Sequence, residues 1–316
     1  MFAWTACEKK ESESPTHVFE STENFTVEVI DARGETIQLR HPAIKVVSLL
    51  PSLTEYIFEL NKDNLLIGRS KWCRYPQEAL AIEAVGSLDQ VDKGRLTALN
   101  PDVVLVSRLM PDEEIEAIEA LGFKVIVFDH QNWESIRRDL EVLGKVLGNS
   151  GDISTLISWL EQHRRIVQQA MDDFEQIDPV RTAVLYSLEP LSSAGKGTFI
   201  DEFIHLVEGV NIAAELLSPW PTLTMNFLTE QNPEVLLIST DAGKPVELLE
   251  SIRELAVNGP WAELEAIKNN RIYLINGDSL AVPGPRQIQA LAQIAAAIRP
   301  AIFEAPPELQ QVILNH

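Results

Sequence analysis

The residues best suited to chemistry fall in loops that follow short apolar runs. Arg69-Ser70-Lys71-Trp72-Cys73-Arg74-Tyr75-Pro76 packs three basic and two aromatic side chains into one loop. Aromatic rings offer stacking surface, and loops at strand ends are where binding residues collect. The structural alternative is that Trp72 and Tyr75 merely pin the loop to the core. A second aromatic loop, Ser218-Pro219-Trp220-Pro221, sets Trp220 between two prolines, which leaves it little conformational freedom and suits a pre-organised contact. Arg108 follows another apolar run and is placed either to enter a cleft or to pair with Asp112 or Glu113. Asp278 occupies the matching place late in the chain, as a site residue or a turn cap. Val282-Pro283-Gly284-Pro285-Arg286 reads as a turn into the last helix.

Catalytic constellations are absent from the pattern. Ser52, His130 and an aspartate would make a triad on paper, yet no serine has a Gly-x-Ser-x-Gly elbow. His130 reads instead as an exposed residue at a strand end. The six histidines have no ligand spacing, and no CxxC or HxxH pair suggests a metal. Ala194-Gly195-Lys196-Gly197-Thr198 lacks the upstream glycine of a phosphate loop and reads as a turn ending at a helix N-cap. Binding is therefore the better class of function.

The elements that must position these residues follow an α/β rhythm. Phe25 to Leu39 alternates like a hairpin around Asp31-Ala32-Arg33-Gly34. Short apolar runs at Lys45–Leu50, Leu65–Gly68, Val103–Ser107 and Val125–Phe128 predict buried parallel strands, with helices at Asp112–Leu121 and Trp133–Leu147. Ser52 and Glu55 form a capping-box pattern for the helix after Pro51. From Ile153 to Phe174 apolar positions recur every three or four residues, predicting one helix of about 24 residues, roughly 36 Å long. Strands at Val184–Ser187, Val235–Ser239 and Ile272–Ile275 follow, with helices at Phe199–Val207, Val246–Val257 and Gln287–Ile298.

An internal echo supports two related halves. Leu96-Thr97-Ala98-Leu99-Asn100-Pro101-Asp102-Val103-Val104-Leu105-Val106-Ser107 matches Leu228-Thr229-Glu230-Gln231-Asn232-Pro233-Glu234-Val235-Leu236-Leu237-Ile238-Ser239 at an offset of 132, with seven of twelve positions identical. Convergent turn chemistry is the alternative to duplication of a lobe. The predicted division is a tether at 1–24, a first lobe at 25–148, a connecting helix at 149–179 and a second lobe at 180–316.

Composition narrows the partners. The 316 residues carry 26 Lys+Arg against 47 Asp+Glu, a net charge of −21, which disfavours nucleic acid and anionic membrane surfaces. No apolar run is long enough to span a bilayer. Cys7 follows Thr5-Ala6, small residues of the kind that precede an acylated lipoprotein cysteine, whereas Met1–Ala6 is too short for a signal peptide. A lipid anchor at Cys7, a cloning scar and a misplaced start codon all remain open.

Taken in order, several segments resemble the substrate-binding proteins of iron-siderophore, haem and cobalamin ABC importers. They are the hairpin Val27–Leu39, Val46-Val47-Ser48-Leu49-Leu50-Pro51-Ser52-Leu53-Thr54-Glu55, Leu99-Asn100-Pro101-Asp102-Val103, Ala194-Gly195-Lys196-Gly197-Thr198-Phe199, Trp220-Pro221 and Pro283-Gly284-Pro285-Arg286. The resemblance covers about Phe25 to Pro300. It implies an α/β fold of two Rossmann-like lobes with parallel sheets joined by one long α-helix, and an extracytoplasmic monomer that serves an ABC permease and ATPase. It implies a guest in the interlobe cleft and no resident cofactor. The pattern is nearest to the cobalamin branch, with Trp72, Tyr75, Trp220 and Asp278 as contacts and Arg108 as a polar anchor. Leu88, Leu280 and Ala281 stand where that branch has aromatic residues, so the pocket is less aromatic. A ferric siderophore or haem would instead engage Arg69, Lys71, Arg74 or Arg108.

Importer-docking members carry one glutamate per lobe. By position these sites are Gly94 and Asn226 here, again 132 residues apart, with Asp92 and Glu230 nearby as substitutes. Two rival functions follow: an enzyme acting on a metal chelate or corrinoid precursor, and a ligand sensor that serves no transporter.

Overall fold

A computed structural model describes residues 27–174, 177–240, 245–257 and 259–314. The tether and Cys7 lie outside the described residues. The first half runs β1 (Val27–Ile30), β2 (Thr36–Leu39), β3 (Val46–Ser48), α1 (Pro51–Glu59), β4 (Leu66–Arg69), the short hairpin β5 (Gly86–Ser87) and β6 (Gln90–Val91), α2 (Lys93–Leu99), β7 (Val103–Ser107), α3 (Asp112–Glu119), β8 (Val125–Phe128) and α4 (Trp133–Val146). Helix α5 (Ser150–Asp172) follows. The second half runs β9 (Val180–Leu185), the hairpin β10 (Ser187–Leu188) and β11 (Leu191–Ser192), α6 (Phe199–Leu206), β12 (Gly209–Asn211), α7 (Met225–Gln231), β13 (Val235–Thr240), α8 (Pro245–Val257), α9 (Glu265–Lys268), β14 (Ile272–Asn276), α10 (Gly277–Ala281), α11 (Gln287–Ile298) and β15 (Gln310–Val312).

Two separate sheets result. The first has the order β4-β3-β7-β8 and is parallel throughout. The second has the order β12-β9-β13-β14, also parallel, and β15 adds an antiparallel edge that the apolar pattern did not announce. The central strands are buried on both faces because helices cover them, which is why they read as continuous apolar runs.

The halves share more than strand order. Asn100 and Asn232 both end their helices in the left-handed region, at φ 47° and φ 43°. The Asp102 carboxylate accepts from the backbone N–H of Lys45, and Glu234 accepts from that of Arg181, so each acid ties its strand start to the neighbouring strand. The echo in the sequence is thus an echo in hydrogen bonding.

Helix α5 spans 23 residues, roughly 34 Å. Ile153, Leu156, Ile157, Leu160, Val167 and Met171 are buried on one face, in an apolar cluster that takes in residues of both sheets. The start of α1 departs from the capping-box expectation. Leu50 is the N-cap, no side chain caps the helix, and Pro51 fixes the first turn. Ser52 and Glu55 are buried instead. A capping box does occur at α4, between Asn132 and Ser135.

Candidate functional site

The carboxyl ends of the parallel strands converge on a cavity of about 260 Å³ between the two sheets, open on one side. The turn from β3 into α1 brings Leu49, Leu50, Pro51 and Ser52, and the ends of β7 and β8 bring Ser107, Leu109, Asp129, His130 and Gln131. Trp72 and Leu88 complete the first wall. Phe199 at the start of α6, Trp220, and Ala281, Val282 and Pro283 after β14 make the second. The lining is mostly apolar, the property that favours a bulky guest with an apolar body.

Trp220 meets Tyr186 edge to face at 5.8 Å between ring centroids. Tyr186 is held in turn by donating its hydroxyl to the Leu280 carbonyl. The indole is therefore fixed before any guest arrives. Trp72 differs: it is 53% exposed, and Lys71 and Arg74 each lie 5.1 Å from its ring centroid. This places all three at the rim. Leu88 and Ala281 line the cavity where the resemblance led us to expect aromatic residues, whereas Leu280 is fully buried.

Other expectations are corrected. His130 is not exposed: it is 6% accessible, and its Nδ1 lies 2.7 Å from the buried Asp139 carboxylate, which also accepts the backbone N–H groups of Asp129 and His130. Its ring sits 6.1 Å from Tyr56 and from Phe128. Arg108 turns away from the cavity and donates to the Ala32 carbonyl in the β1–β2 turn, pairing with neither Asp112 nor Glu113. Arg69 is buried and donates to the carbonyls of Ala79 and Ser70.

Tyr75 and Asp278 do not line the cavity. Both surround Arg286, whose guanidinium stacks 3.9 Å from the Tyr75 ring centroid and lies 3.6 Å from Asp278. Arg286 also makes a bidentate pair with Glu55 of α1. The Pro285-Arg286 turn is thus a joint between the lobes as well as a helix start. Gln287 strengthens it by donating to the Tyr56 hydroxyl. Sequence reasoning missed Ser107, Asp129 and Gln131, although each sits at or just past a predicted strand end.

Gly94 and Asn226 are exposed in the first turns of α2 and α7, at equivalent places in the two halves. Asp92 is the N-cap of α2, accepting from the Arg95 backbone and lying 3.2 Å from its side chain. Glu230 is exposed on α7.

Two α/β lobes, a connecting helix and an apolar cleft at the strand ends define a bilobal binding protein. The chain belongs to the periplasmic binding protein family, whose model matches residues 46–278. It is 25% identical over 290 residues to an uncharacterised ABC transporter substrate-binding lipoprotein, YvrC, of Bacillus subtilis, covering 90% of this chain and 89% of that one. It is 24% identical over 263 residues to a vitamin B12-binding protein of Vibrio cholerae, covering 82% and 90%. Its fold matches the crystal structure of the periplasmic vitamin B12-binding protein BtuF of Vibrio cholerae with a TM-score of 0.71 at 23% identity, over 83% of this chain and 98% of that one. A periplasmic haem-binding protein of Pseudomonas aeruginosa matches with a TM-score of 0.74 at 20% identity, over 87% and 99%.

Proposed function

We propose that this protein captures a bulky metal chelate, a corrinoid first of all, in the interlobe cleft and hands it unaltered to an ABC permease and its ATPase outside the cytoplasm. The observation that carries the reading is the pair of tryptophans, Trp72 and Trp220, on facing walls of one mostly apolar cavity. Relatives named for vitamin B12 and haem support the ligand class. The cavity is open on one side, so a tetrapyrrole-sized guest can seat one edge in the cleft and leave the rest at the mouth.

In this reading Trp220 is the fixed wall and Trp72, with Lys71 and Arg74 beside it, the adjustable rim. Tyr75, Arg108 and Asp278 act outside the cavity. The lobes correspond to residues 25–148 and 180–316, joined through 149–179. A lipid anchor at Cys7 is consistent with a relative named as a lipoprotein.

Titrating the purified protein with cobalamin, haemin and ferric siderophores, followed by tryptophan fluorescence and absorbance, tests this. We expect saturable quenching at one guest per chain and recovery of the guest unchanged. Turnover of the guest would favour the enzyme alternative, and the absence of quenching by every chelate would end the reading.

A further inference from the structure

The cleft carries a charge bias that the family resemblance does not supply. Among the described residues, no lysine or arginine lines it, and its one carboxylate is Asp129. The cations nearest in sequence are committed elsewhere: Arg69 to backbone carbonyls, Arg108 to Ala32, and Lys71 and Arg74 to the outer rim over Trp72. Arg138 and Lys145 line a separate groove that Asp129 also borders.

Asp129 is held in place and only half used. Its backbone N–H donates to Asp139, and its Oδ1 accepts from the Gln131 side chain, while among the described residues Oδ2 accepts no hydrogen bond. An amide N–H or a cation on the guest would satisfy that oxygen. A carboxylate seated inside would instead meet a like charge beside an apolar wall, the rim cations Lys71 and Arg74 lying out at the mouth beside Trp72. The net charge of −21 opposes an anionic guest at longer range, within a screening length of about 8 Å.

We propose that the cleft selects neutral or cationic chelates bearing amide donors and rejects polycarboxylate chelates, with Asp129 as the specificity-determining residue. The inference rests on the chelate-capture reading and adds to it the charge class of the guest.

A matched pair of guests tests it on the full chain: dicyanocobinamide, whose side chains are amides, and the polycarboxylate that hydrolysis of those amides gives. At low salt the amide form should bind at least about tenfold more tightly, and added salt should shrink that preference. Asp129→Asn should narrow the ratio by roughly fivefold, chiefly by raising affinity for the polycarboxylate. Leu109→Lys, at an exposed position of the cleft wall, should raise affinity for the polycarboxylate by roughly tenfold. Equal binding of the two forms by the wild type, or an unchanged ratio in both variants, overturns the inference alone. Failure of both forms to quench the tryptophans overturns the corrinoid reading along with it.

Discussion

Arg286 and Glu55, 231 residues apart, clasp the two lobes: Nε lies 3.0 Å from Oε2 and Nη2 lies 2.6 Å from Oε1. Both side chains are largely shielded, at 13% and 3% accessible, and Tyr75 covers the guanidinium face. Removing one partner leaves the other buried and uncompensated. Arg286→Ala should therefore cost about 3 kcal/mol or more in chemical denaturation, whereas Glu55→Leu with Arg286→Met should cost less than that single change. A double variant worse than Arg286→Ala would mean that the pair's geometry matters more than its charge.

The same clasp gives a pH signature. Burial pushes the Glu55 carboxyl above its ordinary range, more than Arg286 pulls it down. The folded chain then holds the proton to higher pH than the unfolded chain does. This group's contribution is fully present below the unfolded pKa and is lost as pH rises through the folded one. Glu55→Gln cannot ionise, so its stability relative to wild type should rise between acid and neutral pH. Urea unfolding of both proteins at several pH values measures that gap, and a gap independent of pH contradicts the account.

Local physics made most of the fold legible. The hairpin announces itself by its period of two, the buried strands by short continuous apolar runs and the long helix by a period of about 3.6, and the second lobe repeats the first at the Asn-Pro turns. What stayed hidden depends on partners far away in sequence. Nothing near Glu55 reveals Arg286, so a Ser52–Glu55 capping box was the reasonable local reading. His130 looked exposed because Asp139, which holds it inside, sits nine residues on, in the second turn of α4. The site was half legible: the aromatic loops drew attention to both tryptophans, while Asp129 and Gln131 carry no motif beyond following a strand.

Trp220 should dominate the binding energy. It is pre-positioned by Tyr186, so little ordering cost opposes its contact with a guest. Trp220→Ala should weaken capture by about 2 kcal/mol, roughly 30-fold. Trp159 on α5 is 42% exposed and lies outside the cavity, so Trp159→Ala should leave affinity within about twofold. Equal losses in the two variants, read by isothermal titration, would remove Trp220 from the site.

Asp92 serves α2 before it can serve a docking partner. Its carboxylate accepts from the Arg95 N–H at 3.0 Å, as Thr224, 132 residues on, accepts from Phe227 at 3.1 Å. Asp92→Ala and Thr224→Ala should each lower stability by about 1 kcal/mol, and Asp92→Asn should not. Uptake assays can then separate the roles, because a loss shared by Asp92→Ala and Asp92→Asn reports the charge and a loss confined to Ala reports the cap.

The two left-handed asparagines should respond differently to glycine despite their matched geometry. Asn100 and Asn232 both sit near φ 45°, where an alanine Cβ is strained, so backbone strain alone should cost alanine about 1 kcal/mol at either. Glycine relieves that strain at both. At position 100 nothing else depends on the side chain among the described residues, and Asn100→Gly should be within about 0.5 kcal/mol of wild type. At position 232 the side-chain oxygen also accepts the N–H of Glu265, the first residue of α9, at 2.9 Å. Glycine there forfeits this bond, so Asn232→Gly should lose about 1 kcal/mol more than Asn100→Gly. Thermal unfolding of the four variants decides it: if the two glycine variants are equally stable, the Asn232–Glu265 bond adds nothing to the second lobe, and its repeat of the first is purely one of backbone shape.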